Sequence, residues 1–291
     1  MMTHPRLRKI RSRRSANPGI LGAVCFAAVM TCDLSVAYAG DASAWDEGSH
    51  SAARLLAGKR DGDTLTGGIE IRLAPDWKTY WRTPGDSGVP PRLDFSSSDN
   101  IKTVTVLWPA PEAFDDGGGG QSIGYKQHVL LPLRIVPKDA AKPVTLHAEV
   151  NYAICEKLCI PVDASLELQL DRSTTANDSL LTEALGTVPK PSSLGEPPTL
   201  AVQSVHRDET GQRVLVDVKA SDSDHPRLFV EGPTPDWDLP VPSRMPGSSP
   251  GLIHYSFALD GLPPGGEAKG ATLKLTLVGD HEAHEFSVRL D

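Results

Sequence analysis

Cysteine is scarce in this sequence, with four in 291 residues. Two of them, Cys25 and Cys32, fall in an N-terminal stretch unlike the rest of the chain. Aromatic residues make up only 5%. Helical periodicity is almost absent, which turns the reading toward strands. After Ala39 no run is long and apolar enough to cross a bilayer as a helix, which takes about 20 residues. Positive charge is in deficit, with 29 Lys+Arg against 37 Asp+Glu. That balance argues against nucleic acid or an anionic membrane as a partner. Its simplest meaning is solubility.

Residues 1–39 read as an export signal. Arg6, Arg8, Lys9, Arg11, Arg13 and Arg14 form a basic start, and Gly19 to Met30 a mostly apolar stretch. Ala37-Tyr38-Ala39 is a small-x-small cleavage site, which makes Gly40 the expected first residue of the mature chain. The apolar stretch is short for a membrane span, and Asp33 interrupts it; an uncleaved anchor is the alternative. Ser12-Arg13-Arg14 resembles a twin-arginine signal, but the following Ser-Ala-Asn does not support it. Cleavage removes both early cysteines with six basic residues and one acid. The remainder carries 23 Lys+Arg against 36 Asp+Glu, a net charge of −13. Export also places it where disulfides persist.

What the chain has in quantity is proline, 25 residues, and glycine, 26, most of them after Ala39 and set between short runs of alternating apolar residues. This grammar predicts an all-β protein made of antiparallel sandwiches. Strands are expected at Arg54–Gly58, Ile69–Leu73, Trp77–Trp81, Val104–Trp108 and His128–Val136, with one short helix at Asp178–Leu185. The segment 187–198 holds Pro189, Pro191, Pro197 and Pro198 with glycine and serine, a linker by composition. Strand patterns resume after it at Val214–Val218, Leu228–Val230 and His254–Leu259, and in a terminal hairpin built on Leu273–Leu277 and Phe286–Leu290. The expected organisation is therefore a β-sandwich domain over 40–186 and a second, smaller β-sandwich domain over 199–291.

The two remaining cysteines sit in Asn151-Tyr-Ala-Ile-Cys-Glu-Lys-Leu-Cys-Ile-Pro161. Val144, Leu146, Ala148, Val150, Tyr152 and Ile154 alternate before the pair, and Ile160 to Leu170 alternate after it. This is a hairpin whose turn carries the thiols. By parity Cys155 goes with His147, Glu149 and Asn151, and Cys159 with Asp163, Ser165 and Glu167. Both thiols are therefore expected on the polar face. Directly opposed strand residues stand roughly 4.5–5.5 Å apart at Cα, inside the range of about 4.4–6.8 Å that a disulfide accepts. A structural staple is one reading, although so short a loop yields only about 2 kcal/mol. Thiol exchange is the other, favoured by exposure and by the cation of Lys157. The residues alone leave both open.

Trp77-Lys-Thr-Tyr-Trp-Arg-Thr-Pro-Gly-Asp-Ser-Gly88, Leu130-Leu-Pro-Leu133 and Tyr152-Ala-Ile-Cys-Glu-Lys-Leu-Cys-Ile-Pro161 together resemble the N-terminal periplasmic domain of the thiol:disulfide interchange protein DsbD, in its ScsB-like branch. The resemblance covers roughly Ser51 to Leu170 and continues more weakly beyond. It implies an immunoglobulin-like β-sandwich in the periplasm that takes part in thiol–disulfide exchange or protein-disulfide reduction. It implies as partners a membrane-embedded thiol relay and thioredoxin-like proteins, and it requires no cofactor. It casts Cys159 as the sulfur that forms mixed disulfides and Cys155 as the resolving thiol. Three residues separate the cysteines here, as in the ScsB-like branch, whereas the best-known members space them more widely. Those members shield the pair with an aromatic cap loop. The corresponding loop here, Phe114-Asp-Asp-Gly-Gly-Gly-Gly-Gln-Ser122, has glycine where the aromatic aligns, and Phe114, Asp115, Asp116 and Tyr125 are the candidates for shielding. The full-length family continues into membrane helices and a thioredoxin-like domain, so an electron donor is expected to be a separate protein.

Other patterns point elsewhere and are weaker. Gly120-Gln-Ser122-Ile-Gly124 fits the G-x-S-x-G elbow of hydrolases, but that chemistry needs a strand before the serine and a helix after it. The same glycines lack the Gly-Lys-Ser/Thr of a phosphate loop. Cys155, Cys159 and His147 offer soft-metal ligands for a Cu(I) chaperone, without metal-like spacing. A non-catalytic periplasmic binding module with a structural disulfide is the remaining alternative. His281 and His284 flank a turn and are expected in solvent. Trp77, Tyr80 and Trp81 are expected to pack in the core, with a carbohydrate-binding face as a distant alternative.

Overall fold

The computed structural model of the chain describes residues 40–116, 119–170, 173–221, 224–247 and 251–291. Residues 1–39, expected as an export signal, lie outside them together with Cys25 and Cys32. The first part folds into β1 (Asp46–Glu47), β2 (Ser51–Asp61), β3 (Thr64–Leu73), β4 (Lys78–Gly85), β5 (Arg92–Asp94), β6 (Ile101–Val106), β7 (Glu112–Asp115), β8 (Gln121–Lys126), β9 (His128–Pro137), β10 (Val144–Cys155) and β11 (Cys159–Leu170). One sheet runs β1-β2-β3-β9-β6; the other runs β11-β10-β4-β8-β7, with β5 also on β10. Leu55, Ile69 and Leu133 of the first sheet share one core with Trp81, Ile123, Leu146 and Leu166 of the second. Two antiparallel sheets closed over such a core are the expected immunoglobulin-like sandwich.

Periodicity explains the long hairpin that ends at the thiols. On β10, Val144, Leu146, Ala148, Val150, Tyr152 and Ile154 are buried, while Glu149 and Asn151 between them are exposed. Twelve opposed pairs run without a break from Val144–Leu170 to Cys155–Cys159. A slip of one residue would turn every one of these apolar side chains into water, so the register is strongly specified. The register in turn sets the two cysteines opposite each other.

The helix α1 (Asp178–Gly186) forms where it is expected, with an acidic residue in its first turn. Its Leu181 packs on Leu56 and Leu130 of the first sandwich. The remaining strands are β12 (Lys190–Ser192), β13 (Ala201–Arg207), β14 (Arg213–Lys219), β15 (Arg227–Glu231), β16 (Ser243–Arg244), β17 (Leu252–Ala258), β18 (Thr272–Val278) and β19 (Ala283–Arg289). They make two four-stranded sheets, β12-β19-β18-β15 and β13-β14-β17-β16. Between these lies a second core that includes Val216, Phe257, Leu275 and Phe286.

Two features differ from the expectation. Within the proline-rich segment, Lys190–Ser192 pairs in parallel with His284–Phe286 at the sheet edge. His284 is buried rather than solvated. Both its ring nitrogens have partners, Ser192 Oγ at 2.9 Å and Glu282 Oε2 at 3.2 Å, which is what permits an imidazole to leave water.

The two sandwiches are also not independent. Phe229 on β15 and Val278 on β18 belong to the core of the first sandwich. Removing a buried phenylalanine costs about 3–5 kcal/mol. Phe229→Ala should therefore lower stability by that order and separate the melting of the two sandwiches, which in the parent chain should melt together. Scanning calorimetry of both proteins checks this; two resolved transitions in the parent chain would refute it.

Candidate functional site

The thiol pair stands where three strands meet. Cys155 is the last residue of β10, faces Cys159 of β11 on one side, and faces Lys78 of β4 on the other. Both cysteines are free thiols. Cys159 donates its S–H toward Cys155 Sγ at 2.8 Å. Sulfurs bond at about 2.05 Å, so a small approach within one rung of the ladder closes the pair.

The expected parity holds, but its consequence differs for one of the two thiols. Both sulfurs leave the core face of the sheet. Cys159 is exposed, whereas Cys155 is buried, at 8% exposure. The cause is Tyr80. On β4 the side chains alternate, and Trp81 enters the main core while Tyr80 turns to the opposite face and packs on Ala153 and Cys155. Its hydroxyl lies 3.1 Å from Cys159 Sγ. Tyr80 thus covers one sulfur and touches the other.

The electrostatics follow from this cover. Desolvation pushes the Cys155 thiol above its ordinary value, and its hydrogen bond with Cys159 adds to that. The Tyr80 hydroxyl and the Lys78 ammonium pull in the other direction. Tyr80 itself is pushed far up, first by burial and then by its hydrogen bonds to Cys159 and Cys155. It therefore stays a phenol, able to donate to a thiolate, through the whole range in which thiols titrate.

Lys78 is held in place by a polar network. Its Nζ donates to Ser122 Oγ at 2.9 Å and to Asp116 Oδ1 at 3.4 Å, and lies 5.4 Å from the centre of the Phe114 ring. Ser122 Oγ also donates to Asp116 Oδ1 at 2.9 Å. Burial would raise the Asp116 carboxyl, but hydrogen bonds from Ser87 and Ser122 and the Lys78 charge outweigh it and hold the group below its ordinary value. Ser122 is fully buried on a strand with no helix after it, so the G-x-S-x-G match has neither access nor an elbow.

Among the residues expected to shield the pair, Phe114 is buried beneath Lys78 and Lys126. Tyr125 is buried in the main core and donates to Pro109 O at 2.9 Å. The aromatic beside the sulfurs is Tyr80 instead. Asp116 reaches the site indirectly, by way of Lys78 and of Ser87, and Asp115 is an exposed residue at the end of β7. Gly117 and Gly118 lie outside the described residues. His147 does not join the thiols: it is eight residues from Cys155 on one strand, about 26 Å at 3.3 Å per residue, and it pairs with Glu167. Among the described residues no cluster of three or more His, Cys, Asp or Glu side chains is placed to hold a metal.

Trp77, Tyr80 and Trp81 were all expected as packing residues, and for Tyr80 that expectation is too simple. The signal was available in the parity of Trp77-Lys-Thr-Tyr-Trp-Arg82. If Trp81 is inside, Tyr80 and Lys78 share the other face.

Residues 50–171 match the family model described as thiol:disulfide interchange protein DsbD, N-terminal. This segment is similar to that family. The crystal structure of the N-terminal periplasmic domain of ScsB from Proteus mirabilis superposes on the chain with a TM-score of 0.69 at 22% identity, covering 86% of this chain and 98% of that one. The shared fold therefore runs past the DsbD-type segment into the second sandwich. A conserved domain protein from Bacillus anthracis (TM-score 0.23, 13% identity, 80% of this chain and 75% of that one) and a marsupial T cell receptor (TM-score 0.22, 12% identity, 83% and 97%) overlap too poorly to carry an argument. No curated protein matches the chain.

A test of the site follows from Tyr80. Its hydrogen bond lowers the Cys155 value and its ring raises it. Tyr80→Phe keeps the ring and removes only the bond. The pH midpoint for alkylation of Cys155 by iodoacetamide should therefore rise, slowing its reaction near pH 8. Mass-spectrometric mapping across a pH series checks this; a midpoint that falls or stays put would contradict the assignment.

Proposed function

We propose that this chain is a periplasmic thiol–disulfide interchange protein that relays electrons through Cys155 and Cys159 from a membrane thiol reductase system to periplasmic disulfide proteins. The observation that carries the reading is the pair itself, two free thiols at 2.8 Å in one rung, one exposed and one buried. The DsbD-type segment around it supports the same chemistry.

In the reductive direction the Cys159 thiolate attacks one sulfur of a partner disulfide. That disulfide breaks, a mixed disulfide forms, and the partner's other sulfur leaves as a thiolate that takes up a proton. The Cys155 thiolate then attacks Cys159 Sγ, and the bond to the partner breaks. The partner leaves with two thiols, and the chain keeps the Cys155–Cys159 disulfide. Two electrons have moved to the partner. A thioredoxin-like or membrane-embedded dithiol restores the pair by the reverse exchange.

The exposure difference supports Cys159 as the partner-facing sulfur and Cys155 as the resolving thiol. A purely structural bond is disfavoured because it would close a hairpin already joined by eleven other opposed pairs. Its entropic gain would be only about 2 kcal/mol. We place this chemistry in residues 40–186, with 187–198 as the joining segment and 199–291 as the second domain.

Cys155→Ala should accumulate mixed disulfides with thioredoxin-like proteins of the periplasm or its membrane, seen as reducible high-mass species. Cys159→Ala should accumulate few. If neither variant traps a partner, and each merely loses stability, the exchange reading fails; the reverse pattern exchanges the two roles.

The export reading has its own test. No helix among the described residues is long and apolar enough to cross a membrane, and the Ala37-Tyr38-Ala39 site supports release by cleavage. Protein from the exported fraction should begin at Gly40, as measured by intact mass; a mass that retains Cys25 or Cys32 would refute this.

A further inference from the structure

Strand β4 connects the thiol pair to the second sandwich within six residues. Lys78 and Thr79 pair with Cys155 and Ile154, and Tyr80 touches the sulfur of Cys159. The next residues turn to the other domain. The Trp81 and Phe229 rings lie 5.9 Å apart. Arg82 donates from Nε to Glu231 Oε1 at 2.9 Å and from Nη2 to Glu231 Oε2 and Glu285 Oε2, both at 2.6 Å. Thr83 Oγ1 donates to Glu231 Oε1 at 2.9 Å. The Arg82 guanidinium stacks 4.4 Å from the Trp81 ring, and Lys274 reaches Glu285 from the far side at 3.3 Å.

This clasp has a special place in the sheet. β10 pairs with β4 only at Lys78 and Thr79. β8 pairs with Lys78, Thr79 and Tyr80, and resumes only at Gly85. Between those points the ladder does not specify where β4 lies. A bidentate guanidinium–carboxylate pair does, because two parallel bonds fix direction as well as distance. All three side chains are largely out of water, at 21%, 15% and 23% exposure, so solvent screening is limited.

We infer that the second sandwich is a positioning element for the thiol pair: Glu231 and Glu285 hold Arg82, and through it the stretch of β4 that sets the Tyr80 hydroxyl at the Cys159 sulfur. The inference rests on the thiol pair being the exchange centre. Arg82, Glu231 and Glu285 act here as positioning residues, since none touches a sulfur. A cluster that only glued the domains together would leave the thiols indifferent to its loss.

The test uses the full mature chain with Glu231→Gln, which keeps size and one acceptor but breaks the charge-assisted fork, and Arg82→Lys, which keeps the charge without the fork. The readout is the pH profile of iodoacetamide alkylation at each cysteine, mapped by mass spectrometry, together with the redox equilibrium of the pair against glutathione. Both variants should shift Tyr80 off Cys155, and because desolvation outweighs the Tyr80 hydrogen bond there, the Cys155 midpoint should fall and its alkylation near pH 8 quicken by about threefold, the effect of roughly half a pH unit. Val216→Ala, in the second core and away from the clasp, controls for general loosening and should leave the profile in place. Profiles for Glu231→Gln and Arg82→Lys that superimpose on the parent would overturn the inference, as would an equal shift in Val216→Ala. The exchange reading fails separately. A pair that traps no partner but shifts with Glu231→Gln keeps the clasp and loses the exchange. A pair that exchanges but ignores the clasp does the reverse.

Discussion

Only two opposed residue pairs, Ile154 with Thr79 and Cys155 with Lys78, join β10 to β4. The character of the thiol site depends on this short overlap. Further back, the same edge of β10 is taken by β5, which pairs with Glu149, Val150 and Asn151. β4 therefore arrives only at the last rungs, and it brings Tyr80 across the off-core face. Without that cover, Ala153 and Cys155 would stand in water as Glu149 and Asn151 do. The approach also needs a residue without a side chain on the neighbouring strand. A Cβ at Gly124 would fall 1.9 Å from the carbonyl oxygen of Thr79, so β8 lies beside β4 only because position 124 is glycine.

The overlap makes two chemically identical residues different. A hairpin rung is symmetric, and parity sends both sulfurs to the same face. Symmetry breaks because β4 lies on one side of the hairpin only, next to β10, while β11 is the sheet edge. The cysteine nearer β4 loses water, which pushes its thiol above the ordinary value; the one on the edge keeps its exposure. Lys78 then limits the cost of burial at Cys155 without removing it, since desolvation remains the largest influence there. A raised thiol is consistent with the resolving role proposed for Cys155, because a readily ionised resolving thiol would compete for the first attack.

Much of this was legible in the sequence, for identifiable reasons. The alternation on both sides of Asn151–Pro161 dictated strands, register and opposed cysteines, because a period of two admits no other arrangement with one buried face. Scattered proline and glycine signalled the sandwiches. The burial of Cys155 was not legible from its own strand, since it comes from a side chain 75 positions earlier that crosses from β4. The places of Phe114 and Tyr125, named as candidates for shielding, were not legible for a similar reason. Both lie on strands whose parity sends them toward the core or toward lysines, which only the pairing of β7 and β8 with β4 makes visible. His284 was misjudged because its partner Ser192 comes from a segment that composition marks as a linker.

Tyr80 is itself held from outside, and glycine again decides how. The loop after β4 folds back so that Gly88 rests on the Tyr80 ring; a Cβ there would come within 2.7 Å of Tyr80 Cδ1 and within 2.6 Å of the Pro84 carbonyl. Gly85 turns the chain with a φ of 80°, against Gln121 O, in a conformation that other residues resist. The loop is then tied to the β7–β8 turn: Asp86 N donates to Gln121 O, Gln121 N donates to the Asp86 carboxylate, and Ser87 donates to Asp116. The glycine-rich turn thus backs the loop, and the loop backs the tyrosine. A shift in the described part of that turn would reach the sulfurs through Ser87 and Gly88 to Tyr80. An aromatic cap carried on the turn is unnecessary when the aromatic is already on the strand beneath it.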